Sequence, residues 1–96
     1  MEDQKFFKLG LAAKSLQGKA ADEFEKNFWD GYRQGLRRRF HGERMGNDKG
    51  HSEWMALADT AEDLCNRLRG IGYRAGFEEM EIQDAIEYLK GILLPQ

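Results

Sequence analysis

The sequence predicts a small all-α domain, a compact bundle of about four helices built from all 96 residues. Signals for strands are weak, because the chain has no valine and a single threonine, and no stretch alternates apolar and polar residues cleanly over more than a few positions. The single proline stands at position 95, so no proline interrupts a helix before the end of the chain. Apolar residues instead recur at three- and four-residue steps, the repeat of a helix with one buried face.

The first two helices are defined by apolar spacing and by a glycine between them. Apolar side chains predict a helix over residues 3–17, and Gly18 is expected to end it. A longer helix is predicted over 20–40, where a large apolar residue recurs at every fourth position from Phe24 to Phe40. Steps of four residues drift by about 40° against a 3.6-residue turn. The apolar stripe therefore winds around this helix, as expected of a central helix with several neighbours.

The second half of the chain is predicted to hold an exposed loop and two helices. Three glycines and turn-forming polar residues predict the loop over 41–51. Ser52 is expected to cap a third helix, whose apolar residues from Trp54 to Ile71 alternate steps of three and four and form one straight seam. Such a seam is expected to pack inside the bundle, and the alternative is that it forms the interface of a homodimer. The last helix is predicted over 79–93.

A six-residue segment occurs twice, 41 positions apart, as GYRQGL at 31–36 and GYRAGF at 72–77. Glycines four residues apart lie on one face of a helix, and each costs about 1 kcal/mol relative to alanine. A close backbone approach between the two copies would offset this cost, with the tyrosines flanking the contact. The alternative is that the second copy ends the third helix. The residues of the predicted contact are Gly31, Tyr32, Gly35, Gly72, Tyr73 and Gly76.

Charge is distributed unevenly along the chain. Residues 31–50 carry six Lys/Arg against two acids, whereas residues 75–96 carry one lysine against five acids. Directly after the two copies, a pair of arginines is matched by Glu78 and Glu79. This asymmetry predicts either internal pairing of the two regions or a charged binding surface.

The basic segment is rich in arginine, whose planar guanidinium matches carboxylates and phosphates and stacks on aromatic rings. Aromatic residues are interleaved with it. We therefore predict a docking face for an acidic protein surface, with RNA as the alternative partner. A solvated or internally paired helix end is the structural alternative. The residues of this predicted docking face are Trp29, Tyr32, Arg33, Arg37, Arg38, Arg39 and Arg44.

The duplicated Gly-Tyr-x-x-Gly segment, with Trp54 between its copies, resembles the small bacterial ribosome modulation factors. Similar repeats occur in small phage and plasmid proteins. Members of the family are short, helical, basic proteins that bind the ribosome and promote its inactive dimer. The resemblance therefore implies a small helical binding protein and makes the ribosome an alternative partner. This chain differs from the family in its net charge of −2 and in the longer connection between the copies.

Several function classes are excluded by composition and motif content. A net charge of −2 argues against indiscriminate binding of polyanions, and no apolar run is long enough for a membrane span. Cys65 is the only cysteine, so no intrachain disulfide is expected and a reducing cytoplasm is the expected compartment. His41 and His51 belong to no metal-binding motif, and no catalytic or phosphate-binding motif occurs. We expect neither metal nor cofactor, and no enzymatic activity.

These observations predict a cytoplasmic regulator or inhibitor that docks onto a larger protein or nucleoprotein complex. Phage and mobile-element accessory proteins, including those that block host defence complexes, are typically of this size and design. This comparison is an analogy between classes of protein. A ribosome- or RNA-binding factor is the first alternative. A homodimeric structural protein is the second, and the sequence leaves monomer and dimer open.

Overall fold

The computed structural model describes residues 2–42 and 48–94, and these ranges contain five α-helices and no strand. The all-α class is therefore confirmed, with one helix more than the four expected. The helices in chain order are α1 (Asp3–Gly18), α2 (Glu23–His41), α3 (Asp48–Thr60), α4 (Leu64–Phe77) and α5 (Ile82–Leu93).

The prediction of a single third helix is wrong, because α3 ends at Thr60 and a separate helix, α4, begins at Leu64. Asp63 caps the new helix: its carboxylate accepts a hydrogen bond from the backbone amide of Asn66 at 2.9 Å. The same hydrogen bond lowers the pKa of Asp63. The apolar seam from Trp54 to Ile71 is therefore divided between two helices and forms no straight dimer surface.

The connection predicted over 41–51 is shorter at both ends. His41 is the last residue of α2, and Gly42 follows with a φ of 60°, a conformation that favours glycine. The next helix begins at Asp48, so Ser52 lies inside α3 and is not its N-cap. Arg44 lies outside the described residues, as does the rest of 43–47. The last helix also differs, because α5 begins at Ile82, three residues later than expected.

The helices α2 and α4 contact each other through the duplicated glycines. A Cβ atom at any of the four would overlap a carbonyl oxygen of the facing helix. All four are buried and helical, so the close approach is confirmed. The second copy also forms the last turns of α4, which ends at Phe77, but its glycines do not break the helix. The facing carbonyls belong to Arg69 for Gly31, Tyr73 for Gly35, Phe28 for Gly72 and Tyr32 for Gly76.

These glycine contacts are reciprocal. Each glycine faces the carbonyl three residues before its counterpart in the other copy, and the contacts advance in the same direction along both helices. α2 and α4 therefore run parallel and are related by a local pseudo-twofold axis. α1 packs against α2 as α3 packs against α4, so two similar helix pairs precede α5.

The hydrophobic core surrounds this helix pair. Tyr32 is fully buried on α2, and its hydroxyl donates a hydrogen bond of 2.6 Å to the carbonyl oxygen of Met80. α5 contributes Ala85 and Leu89 to the same core. The core residues are Leu9, Ala13, Phe28, Trp29, Tyr32, Leu36, Leu68, Ala75, Ala85 and Leu89.

Alkaline pH is expected to destabilise the fold through the two buried tyrosines. Burial raises the pKa of Tyr32, to which the charges of Glu81 and Glu79 add, and burial also raises the pKa of Tyr73. Above pH ~10 the unfolded chain releases these protons first, so the free energy of unfolding falls as pH rises further. The slope is up to about 1.4 kcal/mol per pH unit for each such tyrosine.

Denaturant unfolding of the wild-type protein and Tyr32→Phe between pH 8 and pH ~11 measures this effect. The variant should be less stable at neutral pH, because it loses the hydrogen bond to Met80, but its stability should fall less steeply above pH ~10. An equal alkaline slope in both proteins would contradict the assignment to Tyr32.

Candidate docking surface

Two of the predicted docking residues lie in the core. Trp29 is 3% exposed, and its ring contacts those of Phe28 and Tyr32 at centroid distances of 4.9 and 5.4 Å. Tyr32 is 0% exposed. Neither side chain is accessible to a partner, so their placement on the docking face is corrected: the stripe that winds around α2 is buried on several sides.

Two arginines of the predicted docking face, Arg38 and Arg39, lie on the side of α2 that faces α4. The Nε atom of Arg39 lies 3.2 Å from Oε2 of Glu79, and the Arg39 guanidinium lies 5.0 Å from the ring centroid of Phe77. Lys5 reaches the other carboxylate oxygen of Glu79 at 3.6 Å. Arg38 lies close enough to Tyr73 for its charge to oppose the effect of burial on the pKa of that hydroxyl. Arg39 is therefore paired within the protein, which was the structural alternative to a role in docking.

The other two described arginines of the predicted docking face, Arg33 and Arg37, lie on the side of α2 that faces α1. The Nη1 atom of Arg33 donates a hydrogen bond of 2.7 Å to Oε1 of Gln17, a neutral partner that leaves the positive charge uncompensated. Arg37 is exposed and forms no hydrogen bond or ion pair with any described residue. The basic segment is therefore divided between two sides of α2 and does not form one continuous stripe.

Arg33 and Arg37 line a shallow surface groove of about 210 Å³, here called the α1–α2 groove. Lys14 adds a third positive charge, and no lining residue is acidic. The floor is apolar. The residues that line the α1–α2 groove are Phe6, Phe7, Gly10, Leu11, Lys14, Arg33, Leu36 and Arg37.

Two apolar side chains beside this groove are exposed to solvent. Phe7 is 59% exposed and Leu11 is 68% exposed, one helical turn apart on α1. The neighbouring Phe6 ring stacks on Phe40 at a centroid distance of 4.0 Å, which holds the start of α1 against the end of α2. Leu36 approaches α1 where Gly10 has no side chain. The result is an apolar ridge flanked by cations.

Sequence reasoning missed Phe7 and Leu11. The signal was present, because these two residues lie outside the buried face that Leu9 and Ala13 define on the same helix. Large apolar residues beyond the buried stripe of an amphipathic helix indicate a second contact surface.

In the pseudo-symmetric half of the molecule, the described residues form no equivalent of this ridge. Arg74, the counterpart of Arg33, donates a hydrogen bond of 2.9 Å to the Met55 carbonyl and pairs with Asp59 at 2.7 Å. Glu78 stands where Arg37 stands in the first copy. The exposed residues in the first two turns of α3 are polar, namely Lys49, Ser52 and Glu53. The shared helix arrangement therefore does not require exposed apolar residues at this place.

The described residues contain neither a metal site nor a membrane-spanning helix. Within these ranges no group of three or more His, Cys, Asp or Glu side chains could hold a metal ion. The Nδ1 atom of His51 lies 2.8 Å from the Tyr73 hydroxyl, and the ring of His41 contacts that of Phe40 at 4.9 Å. Both histidines are thus engaged with aromatic residues. None of the described helices is long and apolar enough to cross a membrane.

No protein-family model matches the chain, and comparison with curated proteins and with solved structures finds no match either. The resemblance to the ribosome modulation factors therefore stays a hypothesis that depends on the repeat alone.

Proposed function

We propose that this chain is a non-enzymatic binding protein, a regulator or inhibitor that docks through the α1–α2 groove onto an acidic surface of a larger protein. The observation that supports this proposal is the exposure of Phe7 and Leu11 beside Arg37. Arg37 forms no ion pair or hydrogen bond with any described residue. The setting we propose is the cytoplasm, among phage or mobile-element accessory proteins that block host complexes, by analogy of size and design.

The exposed ridge supplies the affinity expected of such a contact. Full burial of a leucine or phenylalanine side chain contributes roughly 1.5–3 kcal/mol, and aromatic and arginine side chains are frequent among residues that dominate interfaces. Phe7 and Leu11 would anchor the contact, and Arg37 would pair with a carboxylate of the partner. Charged groups at the rim of an interface mainly set association rate and orientation.

A protein partner is favoured over nucleic acid by the division of the arginines. Phosphate backbones are bound by several cations along one track, and each contact adds to the salt dependence of binding. Here Arg39 pairs with Glu79 on the α4 side, whereas Arg33 and Arg37 face α1. A small-molecule ligand in the α1–α2 groove is disfavoured as well, since its volume of about 210 Å³ is smaller than the roughly 300–1,000 Å³ of ligand pockets.

Affinity capture with the tagged full chain, with and without nuclease, tests this function. We expect a nuclease-resistant protein partner that is retained by the wild-type chain and lost by Arg37→Glu. Lys26→Glu is the matched control, because it makes the same charge change at an exposed position of the same helix. Nuclease-sensitive recovery of RNA or ribosomes would overturn the proposal in favour of the RNA-binding alternative. Equal capture by Arg37→Glu would overturn the assignment to this groove.

A further inference from the structure

We infer that the occupant of the α1–α2 groove is an acidic amphipathic helix of the partner protein, with apolar side chains one turn apart and carboxylates on its flanks. This inference rests on the proposed function and specifies the chemistry of the partner. It depends on three features of the groove: the spacing of its residues, the sign of its charges and the kind of backbone it can accept.

The lining residues of the groove repeat at helical spacing on both walls. Phe7 and Leu11 lie four residues apart on α1, and Lys14 follows three residues later. Arg33 and Arg37 lie four residues apart on α2. Each wall therefore offers a contact about every 5–6 Å along its helix. A helix laid along the groove presents side chains i, i+4 and i+7 with the same repeat.

The backbone of the occupant is expected to be helical and not extended. An extended segment whose amide and carbonyl groups become buried satisfies them most readily at a strand edge, and the described residues contain no strand. A helix satisfies these groups internally. It can therefore lie against α1 and α2 with side-chain contacts alone, as a third member of a helix packing.

The charges on the groove require acids on the occupant. Lys14, Arg33 and Arg37 line it without an acidic residue among them. A purely apolar occupant would remove the Arg37 guanidinium from water without a counter-charge, which is unfavourable. A carboxylate on the flank of the occupant would instead form a charge-assisted hydrogen bond, and the arginine fork is suited to bind both of its oxygens.

The same chemistry occurs on this chain, which makes a second copy the competing occupant. α5 exposes Asp84, Glu87 and Tyr88 on its outer surface. A contact between α5 of one copy and the groove of another would join different surfaces, and such contacts extend into chains unless they close into a ring. We therefore favour a separate protein partner over a second copy of this chain.

The probe for this inference is a fluorescein-labelled peptide of about five turns, with leucines at i, i+4, i+7 and i+11 and glutamates at most other positions. A twin peptide with lysine in place of glutamate is the charge control. Fluorescence anisotropy is expected to show binding of the acidic peptide only. Affinity should fall by about tenfold or more in Leu11→Asp and in Arg37→Glu, and stay unchanged in Lys26→Glu. Binding of the lysine twin with equal affinity, or equal binding by these two variants, would overturn the inference.

Competition separates this inference from the proposed function. We expect the acidic peptide to displace the captured partner. If capture depends on Arg37 but the peptide neither binds nor competes, the helical occupant is wrong while the proposed function stands. If capture is independent of Arg37, the proposed function itself fails. Sedimentation that shows mass increasing with concentration in the wild-type chain, but not in Arg37→Glu, would assign the groove to a second copy and overturn the inference.

Discussion

Alanine in place of Gly35 or Gly76 is expected to destabilise the protein by about 3 kcal/mol or more. The added Cβ atoms would overlap the carbonyl oxygens of Tyr73 and Tyr32, which belong to the backbone of the facing helix. Because a backbone carbonyl inside a helix cannot move aside as a side chain can, the two helices would have to separate. Equilibrium unfolding in denaturant, followed by circular dichroism, measures the loss.

Gly91→Ala is the matched control for these substitutions. Gly91 also lies in a helix, but a Cβ atom there would meet no atom within 4 Å. Alanine should therefore stabilise the protein by about 0.5–1 kcal/mol through helix propensity alone. If Gly35→Ala stabilised the protein to the same degree, the close contact between α2 and α4 would be wrong.

Trp29→Ala is expected to cost about 3–5 kcal/mol of unfolding free energy, an effect large enough to leave much of the protein unfolded. The side chain is 3% exposed and packs between Phe28 and Tyr32, so its removal leaves a cavity in the core. Thermal and denaturant unfolding measure the change. The substitution also separates two interpretations of this residue, as part of the core and as a docking anchor.

Leu11→Ala is the control, since it truncates an apolar side chain that is 68% exposed. Its unfolding free energy should stay within about 0.5 kcal/mol of the wild-type value, while partner binding weakens. The opposite pattern, with Trp29→Ala fully stable but unable to bind and Leu11→Ala unchanged in binding, would return the docking surface to Trp29.

The fold class and the first helix could be predicted from local patterns. The bounds of α1 match the expectation to within one residue, because the apolar spacing before Gly18 and the glycine itself both act over a few residues. The close approach of the two repeats could be inferred as well. Four glycines inside helices are costly, and a close contact in the folded protein offsets that cost, whereas a helix end at the second copy was the alternative.

The division of the third helix was not predictable from its apolar pattern. Trp54 to Ile71 keeps a regular seam through a break that begins after Thr60, and the cap at Asp63 acts over only three residues. The regular pattern persists because both helices bury apolar residues against neighbours. The stacking of Trp54 on Tyr73, with ring centroids 5.1 Å apart, shows that α3 packs on the helix that the prediction joined to it.

By itself, the sequence determined that the chain is helical, that a glycine-bearing segment occurs twice and that basic and acidic regions are separate. Only the tertiary structure decided which side of α2 each arginine faces, why Trp29 is buried and why Phe7 and Leu11 are exposed. The reason is geometric: spacing along a helix defines its faces, but neighbouring helices decide which faces are covered. Here α4 contacts α2 through glycines, and Glu79, just after α4, pairs with Arg39. No described helix covers Phe7 and Leu11 on α1 or the neighbouring Arg37 on α2.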